Sequence, residues 1–231
     1  MVSTLMAPSL DCGGVGDDGE VTTAYLTIAA DGEADIEVKR SRFRATLQRV
    51  STEADARDVV ERLRKQYWDG RHHCSAFILG PDGQVQRSSD DGEPAGTAGA
   101  PMLEVLRGAG VSDVVAVVTR WFGGVLLGTG GLIRAYSDAV RAGLEQVGTL
   151  RRELLVEYTV ELDHATAGKV EADLRARGVQ VLDVTYAASA TLRLGVSNEQ
   201  SGQLAPLVAE LTGGAVEPLR KGASWVDVAA H

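Results

Sequence analysis

Along this chain, apolar residues alternate over short runs, switch to helical spacing, and then switch back. Residues 24–28 and 35–50 read as strands, the second with Phe43, Ala45 and Leu47 on one face. Thr52-Glu53-Ala54-Asp55 is an acidic helix start, and Ala56, Val59, Val60, Leu63 and Tyr67 follow at helical spacing. Residues 74–79 form a short apolar strand. Pro81-Asp82-Gly83 is a turn, and residues 84–87 return as the hairpin partner. A short helix is predicted over 101–107 and a β-branched buried strand over 114–118. Residues 132–147 form a helix with Leu132, Ala135, Tyr136, Ala139 and Val140 on one side.

The rhythm changes after residues 148–152, which read as a domain boundary. Strand 154–162, helix 165–177, strand 180–186, strand 191–196, helix 199–211 and strand 215–228 give the order βαββαβ, the split βαβ or ferredoxin-like pattern. The fold class is therefore α+β, with one domain over 21–149 and a ferredoxin-like second domain over 153–231. Residues 1–20 lack such periodicity and are expected to be a disordered tail.

Composition narrows the function classes. The chain has 231 residues, 44% of them hydrophobic, enough for two cores. No run approaches the roughly 20 apolar residues that span a bilayer, and the first residues have no basic, apolar leader pattern. Two cysteines, Cys12 and Cys74, make no disulfide framework, so a cytoplasmic setting is expected. The formal charge is −9, carried by the tail and by residues 153–231, while residues 21–152 are balanced. Such a chain is a poor non-specific polyanion binder and no DNA partner is expected. Within the neutral middle lies a basic run, Lys39, Arg40, Arg42, Arg44 and Arg49, followed by Arg62, Arg64, Lys65 and Arg71. It reads either as solvated faces or as a local patch for RNA phosphate.

Candidate chemistry concentrates between residues 88 and 136. One loop, 90–101, carries Asp90, Asp91 and Glu93, then Gly96, Thr97 and Gly99. A second, 120–131, carries Gly123, Gly124, Gly128, Gly130 and Gly131 just before a helix. Residues 123–129 approach the G-x-x-x-x-G-K-[ST] phosphate loop. Thr129 holds the lysine position and Gly130 the hydroxyl position, so no Walker NTPase is expected. What remains is a helix N-terminus with free N–H groups, Thr129 as an extra donor, and Arg120 and Arg134 beside it. That suits one phosphate or carboxylate group. The alternative is a tight structural turn. The three acids are expected to pair with Arg120 or Arg134 and order the two loops against each other, rather than to hold a metal. In a strand His72 and Cys74 share a face and His73 takes the other, too few ligands for zinc. His73 is expected to line the cleft of the glycine loop. Of Trp121 and Phe122, alternation lets one point outward, where Trp121 would stack an RNA base.

These motifs resemble the IMPACT/YigZ family. The segments that carry the likeness are residues 39–43 (Lys-Arg-Ser-Arg-Phe), 72–77 (His-His-Cys-Ser-Ala-Phe), 89–99 (Ser-Asp-Asp-Gly-Glu-Pro-Ala-Gly-Thr-Ala-Gly), 120–124 (Arg-Trp-Phe-Gly-Gly) and 131–136 (Gly-Leu-Ile-Arg-Ala-Tyr). Long irregular motifs recur in the family's order and spacing. The resemblance adds Tyr136 to the candidate ligand set. It implies a first domain like the second domain of ribosomal protein S5 and a second like a domain of a translocating elongation factor. It also implies a tie to translational control under stress, known for eukaryotic relatives. The expected role is therefore binding, without cofactor or metal, of RNA, the ribosome or a nucleotide. The competing class is an enzyme that uses the glycine-rich loop on a phosphorylated small molecule or nucleotide. The oligomeric state is left open.

Overall fold

The computed structural model describes residues 22–228, so the tail expected over 1–20 lies outside the described residues. The chain divides into two compact units between Arg151 and Arg152.

The first unit contains β1 (Ala24–Ile28), β2 (Gly32–Val38), β3 (Ser41–Arg49), α1 (Glu53–Gln66), β4 (His72–Leu79), β5 (Val85–Ser89), α2 (Gly99–Gly108), β6 (Val114–Trp121) and α3 (Thr129–Val147). Strands β2-β3-β6-β4-β5 form one sheet in that order, and all four pairings are antiparallel. The single long strand read over 35–50 is in fact a hairpin that turns at Lys39-Arg40, with Val38 opposite Ser41. The alternation that marked a strand continues on both sides of the turn, which hid it.

Both sheet faces are covered, so β6 is apolar on both sides and reads as a continuous run. Phe43, Ala45, Leu47, Cys74, Ala116 and Val118 face α2 and α3. Phe77, Leu79, Val115 and Val117 face α1. The rings of Phe43 and Tyr136 are fully buried and meet edge to face at 5.2 Å between centroids. Burying each such side chain contributes about 1.5–3 kcal/mol. Helix α1 starts on a reciprocal cap: the Asp55 N–H donates to the Thr52 hydroxyl at 3.1 Å, and the Thr52 N–H donates to the Asp55 carboxylate at 3.0 Å.

The second unit contains β7 (Thr149–Leu162, which begins in the first), α4 (His164–Ala176), β8 (Gln180–Tyr186), β9 (Ala190–Val196), α5 (Ser201–Thr212) and β10 (Leu219–Val228). Its strands run β10-β7-β9-β8, the order of a split βαβ unit. Val170 and Leu174 of α4 and Leu204 and Val208 of α5 bury against Val156, Val160, Leu192 and Leu194. Among the described residues no helix is long and apolar enough to cross a membrane.

Candidate functional site

The two polar loops of the first unit meet. The Glu93 carboxylate, on the first, accepts from the Arg120 guanidinium at 2.6 Å and from the Tyr136 hydroxyl at 2.8 Å. The side chains of both charged partners are more than 90% buried, at 4% and 7% exposure. Of the two arginines expected to take the acids, Arg120 does so. Arg134 is exposed and forms no ion pair among the described residues. Removing one member of such a buried pair costs about 3–5 kcal/mol, because the other is left as an uncompensated buried charge.

The remaining acids are also held by their own domain. Asp90 accepts the backbone N–H groups of Gly96, Ala98 and Gly99 at 2.8, 3.0 and 2.8 Å. These include the start of α2, whose cap position, Ala98, has no side-chain oxygen. Asp90 therefore caps that helix from eight residues upstream. Burial alone would raise its carboxyl, but the three N–H donors outweigh burial and hold it below its ordinary value. Asp91 accepts from Arg64 of α1 at 2.6 Å and from the His73 N–H at 2.7 Å. Those two bonds steady a non-glycine residue at φ 42°. The buried Thr97 hydroxyl donates to the Pro94 carbonyl at 2.7 Å. Tyr136 is fully buried, and its phenol is pushed up by burial and by neighbouring Cys74 and Glu93.

His73 is placed differently from the expectation. Strand alternation puts it on the α1 face, away from the glycine loop, with its ring at 3.2 Å from the Tyr67 carbonyl. Burial depresses its basicity. In the second loop, Gly128 caps α3 at φ 73° without any side-chain acceptor. Thr129, Gly130 and Arg134 are exposed, Gly124 is exposed at φ 85°, and Gly131 is half-buried against Leu127. The first N–H groups of α3 are therefore open.

A different cluster forms at the end of the sheet. Lys39 and Arg40 occupy both central positions of the β2–β3 turn at φ 47° and 66°. Type I′ turns favour Asn-Gly there, and each side-chain-bearing residue at such a φ costs about 1–2 kcal/mol. Gly123 presses on this turn. Its N–H donates to the Ser41 hydroxyl at 3.1 Å, and a Cβ at 123 would lie 2.0 Å from the Arg40 carbonyl oxygen. The Arg42 guanidinium lies over the Trp121 ring at 3.8 Å, and Trp121 meets the Tyr67 ring at 5.6 Å. On the other flank the Arg71 N–H donates to the Arg120 carbonyl at 2.9 Å, and its guanidinium stands 5.7 Å from the Phe122 ring. Lys39, Arg40, Arg42 and Arg71 are exposed and none forms an ion pair among the described residues. Arg44, two residues on, shows the contrast: it is held by Asp35 at 2.6 and 2.8 Å. That bond leads the causes that keep the Asp35 carboxyl below its ordinary value. Sequence reasoning missed Trp68, which is 83% exposed beside this cluster. An aromatic residue just past a helix and just before Asp69-Gly70 was the available signal.

Two family models match the chain: the Impact N-terminal domain over residues 39–144, and a Domain of unknown function (DUF1949) over residues 160–215. IMPACT family member YvyE of Bacillus subtilis (strain 168) is 39% identical over 191 residues, 83% of this chain and 88% of that protein. The chain belongs to the IMPACT family. The IMPACT family member YigZ of Escherichia coli (strain K12) is also 39% identical, over 85% of this chain and 97% of its own length. Among solved structures, one described as "Crystal structure of an hypothetical protein" is similar with a TM-score of 0.58 and 37% identity. That match covers 86% of this chain and 98% of the other. The Impact N-terminal match spans the buried loop cluster and the cationic sheet end alike.

Proposed function

We propose that this IMPACT-family chain binds RNA in the service of translational control, through the cationic end of its N-terminal sheet. The observation that carries this reading is that Lys39, Arg40, Arg42 and Arg71 stand exposed without ion pairs around Trp121 and Phe122. The neighbouring acids Asp90, Asp91, Glu93 and Asp35 are each held by a donor of their own domain. Four exposed cations without an ion pair among the described residues are suited to phosphates, and phosphate contacts release counterions. The resemblance in sequence, which ties eukaryotic relatives to translation, points the same way. In this reading the open N–H groups at Thr129 and Gly130, with Arg134, add one flanking phosphate contact.

The test is binding of a single-stranded RNA, and co-sedimentation with ribosomes, over a potassium chloride series. Affinity is expected to fall linearly on a log–log plot. The triple variant Arg40→Ala/Arg42→Ala/Arg71→Ala is expected to bind at least about tenfold more weakly, with a slope shallower by about 0.7 per lost phosphate contact. Salt-independent binding, or an unchanged triple variant, refutes the reading.

A further inference from the structure

The exposed aromatic rings of the same surface carry the inference further, to the form of nucleic acid. We infer that the sheet end reads single-stranded RNA by stacking bases on Trp68 and Phe122, while the flanking cations hold its backbone. This rests on the RNA reading above and deepens it.

Three observations combine. First, Trp68 is 83% exposed and Phe122 41%, large apolar surfaces that a globular domain has reason to cover. Second, both are joined to the cationic sheet end through Tyr67 and Arg71. Trp68 lies in the short connection from Tyr67 to Arg71, and both ends of that connection are fixed. The Tyr67 ring packs on Trp121, the Gly70 N–H donates to the Tyr67 carbonyl at 2.8 Å, and Arg71 is bonded to Arg120 and stands over Phe122. Third, Trp121 is used differently. Its ring is covered by Arg42 at 3.8 Å, packs against Tyr67 and is only half exposed, so it supports the site, whereas Arg71 and Arg120 stand farther from the exposed Phe122 ring, at 5.7 Å each. A duplex keeps its bases stacked on each other and offers these rings nothing. A single strand exposes π-faces at each nucleotide, which aromatic side chains take regardless of sequence.

The Lys39-Arg40 turn fits the same account. Two side chains stand where the backbone prefers Asn-Gly, and Gly123 holds them there. A turn selected for folding alone has no reason to keep them; one that presents two cations to a backbone does. Lys39→Asn/Arg40→Gly is therefore expected to raise Tm by at least about 4 °C and to weaken RNA binding.

The experiment is fluorescence anisotropy with the full chain. It uses a labelled 12-nucleotide mixed-sequence single-stranded RNA and the same sequence as a 12-base-pair RNA duplex. Single strands are expected to bind at least about tenfold more tightly. Trp68→Ala and Phe122→Ala are each expected to weaken single-strand binding by about 5- to 150-fold and to change duplex binding less than about twofold. Arg42→Ala weakens both. Equal binding of the two forms with an unaffected Trp68→Ala overturns the stacking inference and leaves the RNA reading standing. Binding to neither RNA, with ribosome co-sedimentation that survives nuclease digestion, overturns both and points to a protein partner. Trp68 is exposed, so its variant folds. Phe122→Leu, which keeps bulk and loses the ring, serves as the second variant and is expected to bind as weakly as Phe122→Ala.

Discussion

Two charged regions of one domain are built in opposite ways. The loop after β5 holds three carboxylates, and every one is engaged from within: Asp90 by three N–H groups, Asp91 by Arg64 and the His73 N–H, Glu93 by Arg120 and Tyr136. The sheet end holds four cations and engages none of them in an ion pair among the described residues. In the sequence both are short polar segments rich in charge. What separates them is partnership. Carboxylates bonded from within spend their electrostatics on folding, and cations without an ion pair keep theirs for something outside.

The most severe test of this contrast is truncation on each side. Glu93→Ala is expected to cost about 3–5 kcal/mol, since Arg120 would keep a buried charge without its partner. Arg42→Ala is expected to cost no more than about 1 kcal/mol, the value of an exposed cation–π contact. Urea unfolding of the two variants compares them directly, and equal losses would dissolve the distinction.

Gly123→Ala probes the contact that holds the Lys39-Arg40 turn. Its Cβ would overlap the Arg40 carbonyl at 2.0 Å, and the strand pair can give way only by moving the turn. A loss of about 1–3 kcal/mol is expected, together with weaker RNA binding. A variant that loses stability but binds RNA as before would separate the turn from the ligand.

Asp90→Asn weakens the bonds that Asp90 accepts from Gly96 and from the start of α2, and a loss of about 1 kcal/mol is expected. The sign with pH follows from the lowered carboxyl. The stability Asp90 contributes is complete above its ordinary value of 3.8 and is lost as pH falls from there through the lower folded value. Stability curves between pH 2 and 6 should therefore be flatter for the variant than for the natural chain.

The smallest effect is expected for Arg134→Ala, within about 0.5 kcal/mol, because Arg134 is exposed, forms no ion pair among the described residues and lies past the first turn of α3, where the helix dipole acts. Thermal unfolding checks this. A loss of several degrees would mean that Arg134 has a structural role that its exposure does not suggest.

Much of the fold was legible because it rests on periodicity. The β-branched run 114–118 and the helix begun at Thr52-Glu53-Ala54-Asp55 appear where spacing puts them. β6 extends further, to Trp121, since its last residues are polar or aromatic yet still pair with β3 and β4. The Lys39-Arg40 turn was not legible, because neither residue type belongs at positive φ and only the close approach of Gly123 explains it. At the site, the meeting of the acidic loop with Arg120 followed from charge alone. Which arginine would be buried did not, because Arg120 lies on a strand whose even positions face α2 and α3, and Arg134 lies on the exposed side of its helix. Trp68 escaped notice because exposure is decided by the turn that carries it and by no pattern within it.

Cys74 gives this domain a chemical clock. Its side chain is fully buried, the thiol donates to the Asp90 carbonyl at 3.0 Å, and burial pushes its pKa up to about 12. At neutral pH there is almost no thiolate for an alkylating reagent to meet while β4 and the acidic loop stay closed. In a chain whose other cysteine is replaced, Cys12→Ser, the labelling rate of Cys74 counts openings of that seam one molecule at a time. Mass spectrometry then reads how often the native state lets go.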